Sequence, residues 1–361
     1  MGSTDTRWVA VTGAVGFIGH HLVKYLKSFG HWVRGVEIEN PGYEPSFASE
    51  FIQVGLRECV SCSRAVHGVS DVYNLASDMG GIGYITANHA RLTRKNTLIN
   101  NHMPEAARLE GVERYIHTSY TGLACVYPSF LQSDDEVTPL RKEKSVPADP
   151  EKGYGWENLF AEQLATHYHE ECGLDVRFVR FHNIYGPLGA YEGGKENAPA
   201  AIFRKVTEAK GLSDIEVSGD GEQTRSFCHV DDCAEGIARL VNSGSVRQLN
   251  LGTHEIVTVN EFVDMVGAAD GKSPAKIHDS SKSQGVRGRH SDNSLLQEVL
   301  NWKPPISLKE GICRTYEWIW TELARQGRAK PPTRPNGCFA NSSGKIMGRL
   351  THSTLAAAMT Q

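Results

Sequence analysis

Phenol and thiol side chains have the chemistry to carry protons, and Tyr154 and Cys125 are two such groups in this sequence. Tyr154 opens a stretch of helical periodicity just past a loop, and Cys125 precedes a Val-Tyr-Pro segment. The ordinary pKa values of a phenol and a thiol are about 10 and about 8.5, so either group can act as a general acid or base once its surroundings adjust that value. Without further context, Cys125 is better explained as a small buried core residue.

A glycine-rich turn near the start of the chain could hold a phosphate. The apolar run at residues 9–11 leads into a GxxGxxG pattern that opens a helix. The first glycine permits a tight turn, the second lets the backbone approach a pyrophosphate, and the third lets the helix pack closely on the strand. The helix start offers its amides and dipole to the phosphates. The cofactor-binding residues predicted here are Gly13, Gly16, Phe17, Ile18 and Gly19.

The choice of dinucleotide is predicted from Glu37, which lies 18 residues past Gly19 at the end of the second predicted strand. A carboxylate at this position can accept hydrogen bonds from the adenosine ribose hydroxyls and would repel a 2′-phosphate. The sequence therefore predicts NAD as the cofactor rather than NADP. The alternative is a glycine turn that serves packing alone.

The elements that must position these residues alternate between short β-rich runs and helical patterns from residue 8 to about 185. Strands separated by helices predict an α/β fold with a doubly wound parallel sheet of the Rossmann type. The predicted strands are 8–12, 32–36, 72–75, 114–118 and 176–181, and the predicted helices are 19–27, 97–108 and 154–172.

Beyond residue 186 the elements become shorter, while glycine, proline and charge increase. Strands are predicted at 215–217 and 248–251, and helices at 232–241 and 259–266. We predict an NAD-binding domain over residues 1–185 and a smaller substrate-binding part over 186–326 that shares elements with the first. Residues 327–361 are predicted to form a poorly ordered tail, because they hold proline and glycine with little periodicity.

Composition narrows the class of protein. A formal net charge of -4 gives no reason to expect a nucleic-acid or membrane partner, and no apolar run approaches the length of about 20 residues that a membrane helix needs. We expect a cytoplasmic protein whose eight scattered cysteines are free thiols. Cys59 and Cys62 form a CxxC, but a zinc site would need a second pair, so no metal is predicted.

Longer motifs narrow the family. The chain has DMGGIG at 78–83, ACVYP at 124–128, RFHNIYGP at 180–187, GDGEQTRSF at 219–227 and GVRGR at 285–289. With the GxxGxxG spacing and the Asn-Leu-Ala run at 74–76, the sequence resembles the GDP-mannose 3,5-epimerases of the extended short-chain dehydrogenase/reductase family. The resemblance covers roughly residues 8 to 325.

The resemblance implies a chemistry and a set of roles. NAD oxidises the hexose C4 hydroxyl, the C3 and C5 centres are inverted by proton exchange, and the ketone is reduced again. Tyr154 would accept the hydroxyl proton, Cys125 would be one of two acid/base groups, and Ala76 and Asn158 would join the cofactor site. A homodimer through the helices at 97–108 and 154–172 is also implied. The substrate contacts implied are Gly80, Cys125, Asn183, Asn197, Lys205, Gln223, Arg225 and Arg287.

The chain departs from the family at four places. Asn158 stands where the family has the lysine of YxxxK, so the charge that lowers the tyrosine pKa is lost. Asn197 stands where the family has its acid/base lysine, and Lys195 lies two residues before it. Leu123 replaces a serine near the cysteine, and Gly55 replaces an aspartate that would meet the adenine.

Three hypotheses follow. The first is an NAD-dependent nucleotide-sugar epimerase whose activity is weakened by the two asparagines. The second is a catalytically silent homologue that binds NAD and a GDP-sugar. The third is another extended short-chain enzyme, such as a 4-epimerase or a 4,6-dehydratase, against which the DMGG run and Cys125 argue. We rank the enzyme first.

Overall fold

A computed structural model of the chain describes residues 6–120, 152–209, 214–281, 287–289, 291–329 and Cys338. The strands are β1 (Trp8–Thr12), β2 (Trp32–Glu37), β3 (Glu50–Gln53), β4 (Asp71–Asn74), β5 (Arg114–Tyr120), β6 (Asp175–Phe181), β7 (Ile184–Tyr185), β8 (Ile215–Ser218), β9 (Thr224–Ser226), β10 (Cys228–His229), β11 (Leu249–Leu251), β12 (Ile256–Thr258), β13 (Lys276–Asp279) and β14 (Gly288–Arg289). The helices are α1 (Phe17–Ser28), α2 (Cys59–Val66), α3 (Ile82–Ala87), α4 (His89–Leu109), α5 (Lys152–Cys172), α6 (Ala198–Glu208), α7 (Val230–Ser243), α8 (Val259–Asp270), α9 (Ser294–Leu300) and α10 (Leu308–Arg325).

Seven of these strands form one sheet in the order β11-β6-β5-β4-β1-β2-β3, and all neighbouring pairs are parallel. Its central strands are almost continuously buried, as expected when helices cover both faces of a parallel sheet. The strand order reverses between β1 and β4, and ligands bind at such a point beyond the carboxyl ends of the strands. The predicted doubly wound Rossmann sheet is confirmed.

The helices cover the sheet in two groups. On one face α1 packs against α7, and on the other α4 packs between α2 and α5. α4 begins at His89 rather than at residue 97 as predicted, because its first turns are too polar to show an apolar period. Elements that were not predicted from the sequence include β3, α6 and the long helix α10.

A second core lies beside the sheet. It is built from α6, α8 and α10 with short strands around them, and Phe203, Phe262 and Tyr316 are buried in it. The chain then returns to the first core, since β11 pairs with β6 and α7 packs on α1. The segment after residue 185 thus shares elements with the first, while the boundary at residue 185 stays a prediction.

The cysteines are only partly as predicted. Five of them, at positions 59, 62, 172, 228 and 233, are free. Cys313 of α10 is joined to Cys338 in a disulfide, so the expectation of free thiols was wrong for this pair, because residues far apart in sequence meet at α10. Apart from Cys338, the predicted tail is described only to residue 329, and the rest lies outside the described residues. No helix in the described ranges is long and apolar enough to span a membrane.

Candidate active site

Two adjoining cavities open at the carboxyl ends of the central strands. The inner cavity, of about 310 Å³, is walled by Tyr154, Asn158 and Asn197 among others. The outer cavity, of about 490 Å³, is walled by Glu37 and Gly55 among others. The residues that line both are Gly13, Gly16, Phe17, Ala76, Ser77, Ala190 and Lys195. The two cavities therefore form one groove over the glycine-rich turn.

The glycine-rich turn is held so close to α1 that side chains are excluded. A Cβ on Gly19 would lie 2.0 Å from the carbonyl oxygen of Gly13, and Gly13 has a φ of +68°. Gly16 is the N-cap of α1 and provides no side-chain cap. The first amides of α1, at Phe17 and Ile18, therefore face the groove where an anion such as a pyrophosphate could bind.

Glu37 ends β2, as predicted, and lies at the wall of the outer cavity. Its carboxylate accepts a hydrogen bond of 2.8 Å from the amide of Ile38. Burial raises the pKa of Glu37, while hydrogen bonds from the backbone amides of Ile38 and Val15 act in the opposite direction. The carboxylate is thereby fixed beside the glycine-rich turn and Gly55.

Tyr154 lies in the first turn of α5, buried at the wall of the inner cavity. Its hydroxyl donates a hydrogen bond to the Met79 sulfur at 3.4 Å. The side chain of Asn158 is also buried, and its amide donates to the backbone carbonyl of Tyr154 at 2.9 Å. Ser119 donates to the Asn158 amide oxygen at 3.3 Å. The predicted pair therefore lies together on one helix turn.

Glu157 also lines the inner cavity, and the sequence analysis missed it. Its side chain is only 4% exposed and accepts a hydrogen bond of 2.6 Å from Asn100 on α4. Burial raises the pKa of Glu157 to about 7, although the amides of Asn100 and Asn96 act against this shift. A signal was present, since a residue three positions after Tyr154 on a helix shares its face.

The loop after β4 lies directly against the loop before α6. The amide of Gly81 donates to the carbonyl of Lys195 at 3.1 Å, and a Cβ on Gly81 would lie 2.2 Å from the carbonyl oxygen of Glu196. Only a glycine permits this approach, which brings Lys195 and Asn197 into the wall of the inner cavity beside Gly80.

The Asp78 carboxylate lies among three basic side chains beside the groove. Lys95 lies 2.5 Å from its carboxylate, Lys195 lies 3.5 Å away and Arg91 lies 3.8 Å away. Tyr84 donates to it at 2.9 Å, and the Lys195 ammonium lies 5.1 Å from the Tyr84 ring centroid. Burial would raise the pKa of Asp78, but the bonds from Lys95 and Tyr84 outweigh it and hold the pKa below its usual value.

Asn197 has a structural role at its position. It is the N-cap of α6, where its Oδ1 accepts a hydrogen bond of 3.0 Å from the amide of Ala200. Its Nδ2 donates to the carbonyl of Ile184 at 3.4 Å. An asparagine is among the best N-cap residues, so this side chain fits the helix start while offering no exchangeable proton.

The remaining predicted substrate residues do not line these two cavities: Asn183, Gln223, Arg225 and Arg287 lie around β9, and Lys205 lies on α6 with its ammonium against β8. Asn183 donates to the carbonyl of Ser226 at 2.9 Å, and Arg225 donates to the carbonyl of Arg287 at 3.4 Å. Gln223 is buried at the start of β9. We call the side chains of Lys205, Gln223, Arg225 and Arg287 the basic arm.

The ends of the basic arm are tied to acidic neighbours. Arg287 pairs with Asp220 at 2.8 Å, and Lys205 donates to the backbone carbonyl of Glu216 at 2.9 Å. Cys125, the second predicted proton carrier, lies outside the described residues, as does Leu123. Within the described ranges, no group of three or more His, Cys, Asp or Glu side chains is arranged to hold a metal ion.

The chain is similar to known proteins over most of its length. The model of the NAD dependent epimerase/dehydratase family matches residues 9–252. The GDP-mannose 3,5-epimerase of Arabidopsis thaliana is 41% identical over 320 residues, which cover 88% of this chain and 83% of that protein. The GDP-mannose 3,5-epimerase 1 of Oryza sativa subsp. japonica is 41% identical over the same shares of both chains.

Solved structures show the same fold. The UDP-glucose 4-epimerase of Thermotoga maritima, solved with UDP-glucose, has a TM-score of 0.77 at 24% identity, over 88% of this chain and 99% of that one. The UDP-glucose 4-epimerase of Thermus thermophilus, solved with NAD, has a TM-score of 0.74 at 24% identity, over 86% of this chain and 98% of that one.

Proposed function

Since the chain belongs to the NAD-dependent epimerase/dehydratase family and, within it, to the GDP-mannose 3,5-epimerases, we propose that it uses NAD to epimerise a GDP-linked hexose. The observation that carries this proposal is the meeting of three segments at the inner cavity. Gly80 of the DMGG loop and Lys195 of the loop before α6 line the same wall as Tyr154. One cavity thus holds the tyrosine together with both loops that would surround a sugar.

The residues of the groove fit NAD. The uncapped start of α1 would hold the pyrophosphate, and Glu37 would accept hydrogen bonds from the adenosine ribose. Asn158 would contribute an amide to the nicotinamide ribose. When bound, NAD supplies reversible hydride exchange with a carbinol carbon of the sugar.

Tyr154 is the group we assign to the sugar hydroxyl. Its phenol lies at the wall of the inner cavity and takes the hydroxyl proton on oxidation, then returns it on reduction. The ketone formed in between makes the C–H bonds on both neighbouring carbons acidic, because the resulting anion is delocalised onto the ketone oxygen. Inversion of those carbons then needs proton carriers on the two faces of the ring.

Two side chains are our candidates for that exchange. Cys125, which lies outside the described residues, is assigned from the resemblance. On the other side we assign Lys195, because Asn197 caps α6 and has no proton to exchange. Lys195 lines the inner cavity, and its ammonium lies 3.5 Å from the Asp78 carboxylate and 5.1 Å from the Tyr84 ring centroid.

The nucleotide end of the substrate is assigned to the basic arm. A diphosphate carries negative charge that Arg225, Arg287 and Lys205 can pair with. The strand pairing of β9 with β14 places Thr224 beside Gly288, so Arg287, which immediately precedes β14, stays close to Arg225 of β9. The β9 strand follows Gln223, whose amide is already anchored to Ser218 at 3.1 Å.

A second candidate function is a silent binding protein that retains NAD and a GDP-sugar. The observation that favours it is that both asparagines at family lysine positions are committed to helix contacts. Asn158 bonds back to Tyr154, and Asn197 caps α6. The silent binding protein differs from the epimerase only in lacking proton exchange at the sugar. Experiments that measure binding therefore support both functions, and experiments that measure proton exchange distinguish them.

The quaternary state we propose is a homodimer. Helices α4 and α5 pack side by side, and α5 carries Trp156 and Phe160 with 51% and 53% of their surface exposed. Large exposed aromatic side chains one turn apart are typical of an interface. The mass in solution by light scattering tests this proposal, and a cytoplasmic location stays a prediction of the sequence.

Calorimetric titration of NAD-loaded protein with GDP-mannose and with UDP-glucose tests the substrate assignment. GDP-mannose should bind at least about tenfold more tightly, and Arg225→Ala should weaken it by about 10- to 100-fold, the value of a charge-assisted hydrogen bond. The matched control is Arg239→Ala, because Arg239 is an exposed arginine on α7 that pairs with Glu235. This variant should bind GDP-mannose as tightly as the wild type does. Tighter binding of UDP-glucose would contradict the GDP-hexose assignment.

A further inference from the structure

Glu157 is a carboxyl group buried in the wall of the inner cavity that the chemistry above does not use. It lies on α5 between Tyr154 and Asn158, with 4% of its surface exposed. Burying a carboxylate is costly unless a cation or several hydrogen-bond donors compensate for the lost water. The partners of Glu157 therefore decide whether it is charged.

The hydrogen-bond partners of Glu157 are neutral amides. Asn100 donates to its Oε1 at 2.6 Å, and Asn158 donates to its Oε2 at 3.3 Å. These amides are themselves held in place, since Asn74 of β4 donates to Asn100 at 3.2 Å and Ser119 of β5 donates to Asn158 at 3.3 Å. Asn96 of α4 also bonds to the carboxyl group, so neutral amides from α4 and α5 surround it.

The charged groups near Glu157 are occupied elsewhere. One turn further along α5, Glu162 is paired with Arg180 of β6 at 2.6 Å and interacts with His117 of β5. On the α4 side, Lys95 is paired with Asp78 at 2.5 Å. In the part of the chain that the structure describes, no cation is a hydrogen-bond or ion-pair partner of Glu157, and the titratable neighbour on its own helix turn is Tyr154.

The substitution at position 158 explains this environment. A lysine there, as in the family the sequence resembles, would place an ammonium next to the Glu157 carboxyl group. With Asn158 the cation is missing, and burial raises the pKa of Glu157 to about 7. Its ionisation near neutral pH is therefore sensitive to any charge that enters the inner cavity.

We propose that Glu157 makes the inner cavity selective for the oxidised cofactor: its carboxylate compensates the positive charge of the nicotinamide ring of NAD⁺, and it loses a proton when that form binds. The group thus supplies an anionic partner for the oxidised ring, while Lys195, the cation that also lines the inner cavity, is paired with Asp78 at 3.5 Å. NADH carries no ring charge and leaves the proton in place. The inference concerns NAD alone and does not depend on which sugar is the substrate.

Linkage gives the sign of the effect. An opposite charge nearby favours the ionised carboxyl group, so NAD⁺ binding releases the proton that Glu157 holds below about pH 7. NAD⁺ affinity should therefore rise as pH increases from 6 to 8, by up to about tenfold for each unit by which its pKa is lowered. NADH affinity should stay nearly level over the same interval.

Calorimetry of the whole protein in two buffers of different ionisation enthalpy measures the proton release directly. At pH 7 the wild type should release about half a proton per NAD⁺ bound, because a group with a pKa near 7 is half protonated there. NADH should release far less. Glu157→Gln should bind NAD⁺ without releasing a proton, and Glu171→Gln, an exposed position on the same helix, should behave as the wild type.

A second variant guards against a misfolded Glu157→Gln. Asn158→Lys places a permanent cation beside the carboxyl group, so Glu157 should already be ionised at pH 7 and the release should disappear while NAD⁺ still binds. Release that is equal for NAD⁺ and NADH would overturn the inference. So would a release that persists in Glu157→Gln or in Asn158→Lys, because the proton would then come from another group.

Discussion

The side-chain amide of Asn158 lies 2.9 Å from the backbone carbonyl oxygen of Tyr154 and donates a hydrogen bond to it. The residue that replaces the family lysine therefore bonds back along α5 and brings no charge to the phenol. Because the Tyr154 phenol lacks a neighbouring cation from position 158, we expect slow turnover at neutral pH.

Asn158→Lys should raise turnover at neutral pH and move the alkaline rise of the rate to lower pH. A nearby ammonium favours the phenolate of Tyr154, and one general acid/base contribution is worth about 10² to 10⁴ in rate. The rate of GDP-mannose epimerisation from pH 6 to 10 checks this expectation. Asn158→Met, which has a similar reach and no charge, should not show the shift, and an equal gain in both variants would rule out a charge effect.

The pH dependence of stability should carry the signature of Glu157. Its folded-state pKa of about 7 lies above the ordinary value of 4.5, so the folded state holds a proton that the unfolded chain has lost between these values. The free energy of unfolding should therefore fall as pH rises from about 4.5 to about 7, by up to about 3 kcal/mol from this group. Asp232, whose pKa burial raises to about 6, contributes in the same direction.

Urea unfolding of the wild type and of Glu157→Gln at pH 5 and pH 8 isolates the contribution of Glu157. The variant should lose less stability between the two pH values, since the Asp232 contribution is common to both proteins. If the two proteins show the same pH difference, the buried carboxyl group does not titrate in this interval.

Asn197→Ala should destabilise the protein by about 1 kcal/mol, because the Ala200 amide at the start of α6 loses its side-chain acceptor. Asn197→Asp keeps an acceptor and should lose much less. Urea unfolding of both variants checks the cap. Asn197→Lys restores the family lysine but also lacks the acceptor for the Ala200 amide, so it should be less stable than the wild type. Its activity must therefore be measured on protein shown to be folded.

Glu37 should make the protein prefer NAD to NADP, since a carboxylate at the end of the second strand, at the wall of the outer cavity, would repel a 2′-phosphate. Glu37→Gln should reduce the ratio of NAD affinity to NADP affinity by about tenfold or more, because the repulsion between the carboxylate and the 2′-phosphate is removed. Calorimetric titration of both cofactors measures this ratio. Glu39→Gln, two residues on and exposed, should change it less. Tighter binding of NADP than of NAD by the wild type would contradict the role assigned to Glu37.

The sequence predicted the parts of the site that depend on neighbouring residues in the chain. The glycine-rich turn, Glu37 at the end of β2 and Tyr154 at the start of α5 all lie where their local patterns placed them. Such features depend on one strand, one turn or one helix, so residue type and spacing are sufficient to find them.

The parts that escaped prediction depend on contacts between distant segments. The polar start of α4 has no apolar period, yet Lys95 there pairs with Asp78 of another loop. Likewise helix spacing places Glu157 on the face of Tyr154, but it does not predict the hydrogen bond that Asn100, 57 residues away, donates to it. Pairing of polar groups across the fold is set by tertiary geometry, which a single sequence does not encode in any periodic pattern.

Asn158 and Asn197 also show what the sequence can and cannot predict. Their types alone indicated that charge and a proton carrier were lost, which the sequence analysis stated. Their new partners were not predictable, because Asn197 reaches Ile184 and Asn158 reaches Glu157 only in the folded chain.

Deuterium exchange at the sugar is the most direct test of the proposed epimerase. The NAD-loaded wild type is incubated with GDP-mannose in deuterated water at neutral and alkaline pH, and the C3 and C5 positions are followed by NMR. We expect slow incorporation of deuterium and slow formation of epimers, both faster at alkaline pH, with none in Tyr154→Phe and loss of exchange at one centre in Lys195→Met. Absence of exchange at every pH, with NAD and GDP-mannose both shown to bind, would contradict the enzyme and support the silent binding protein.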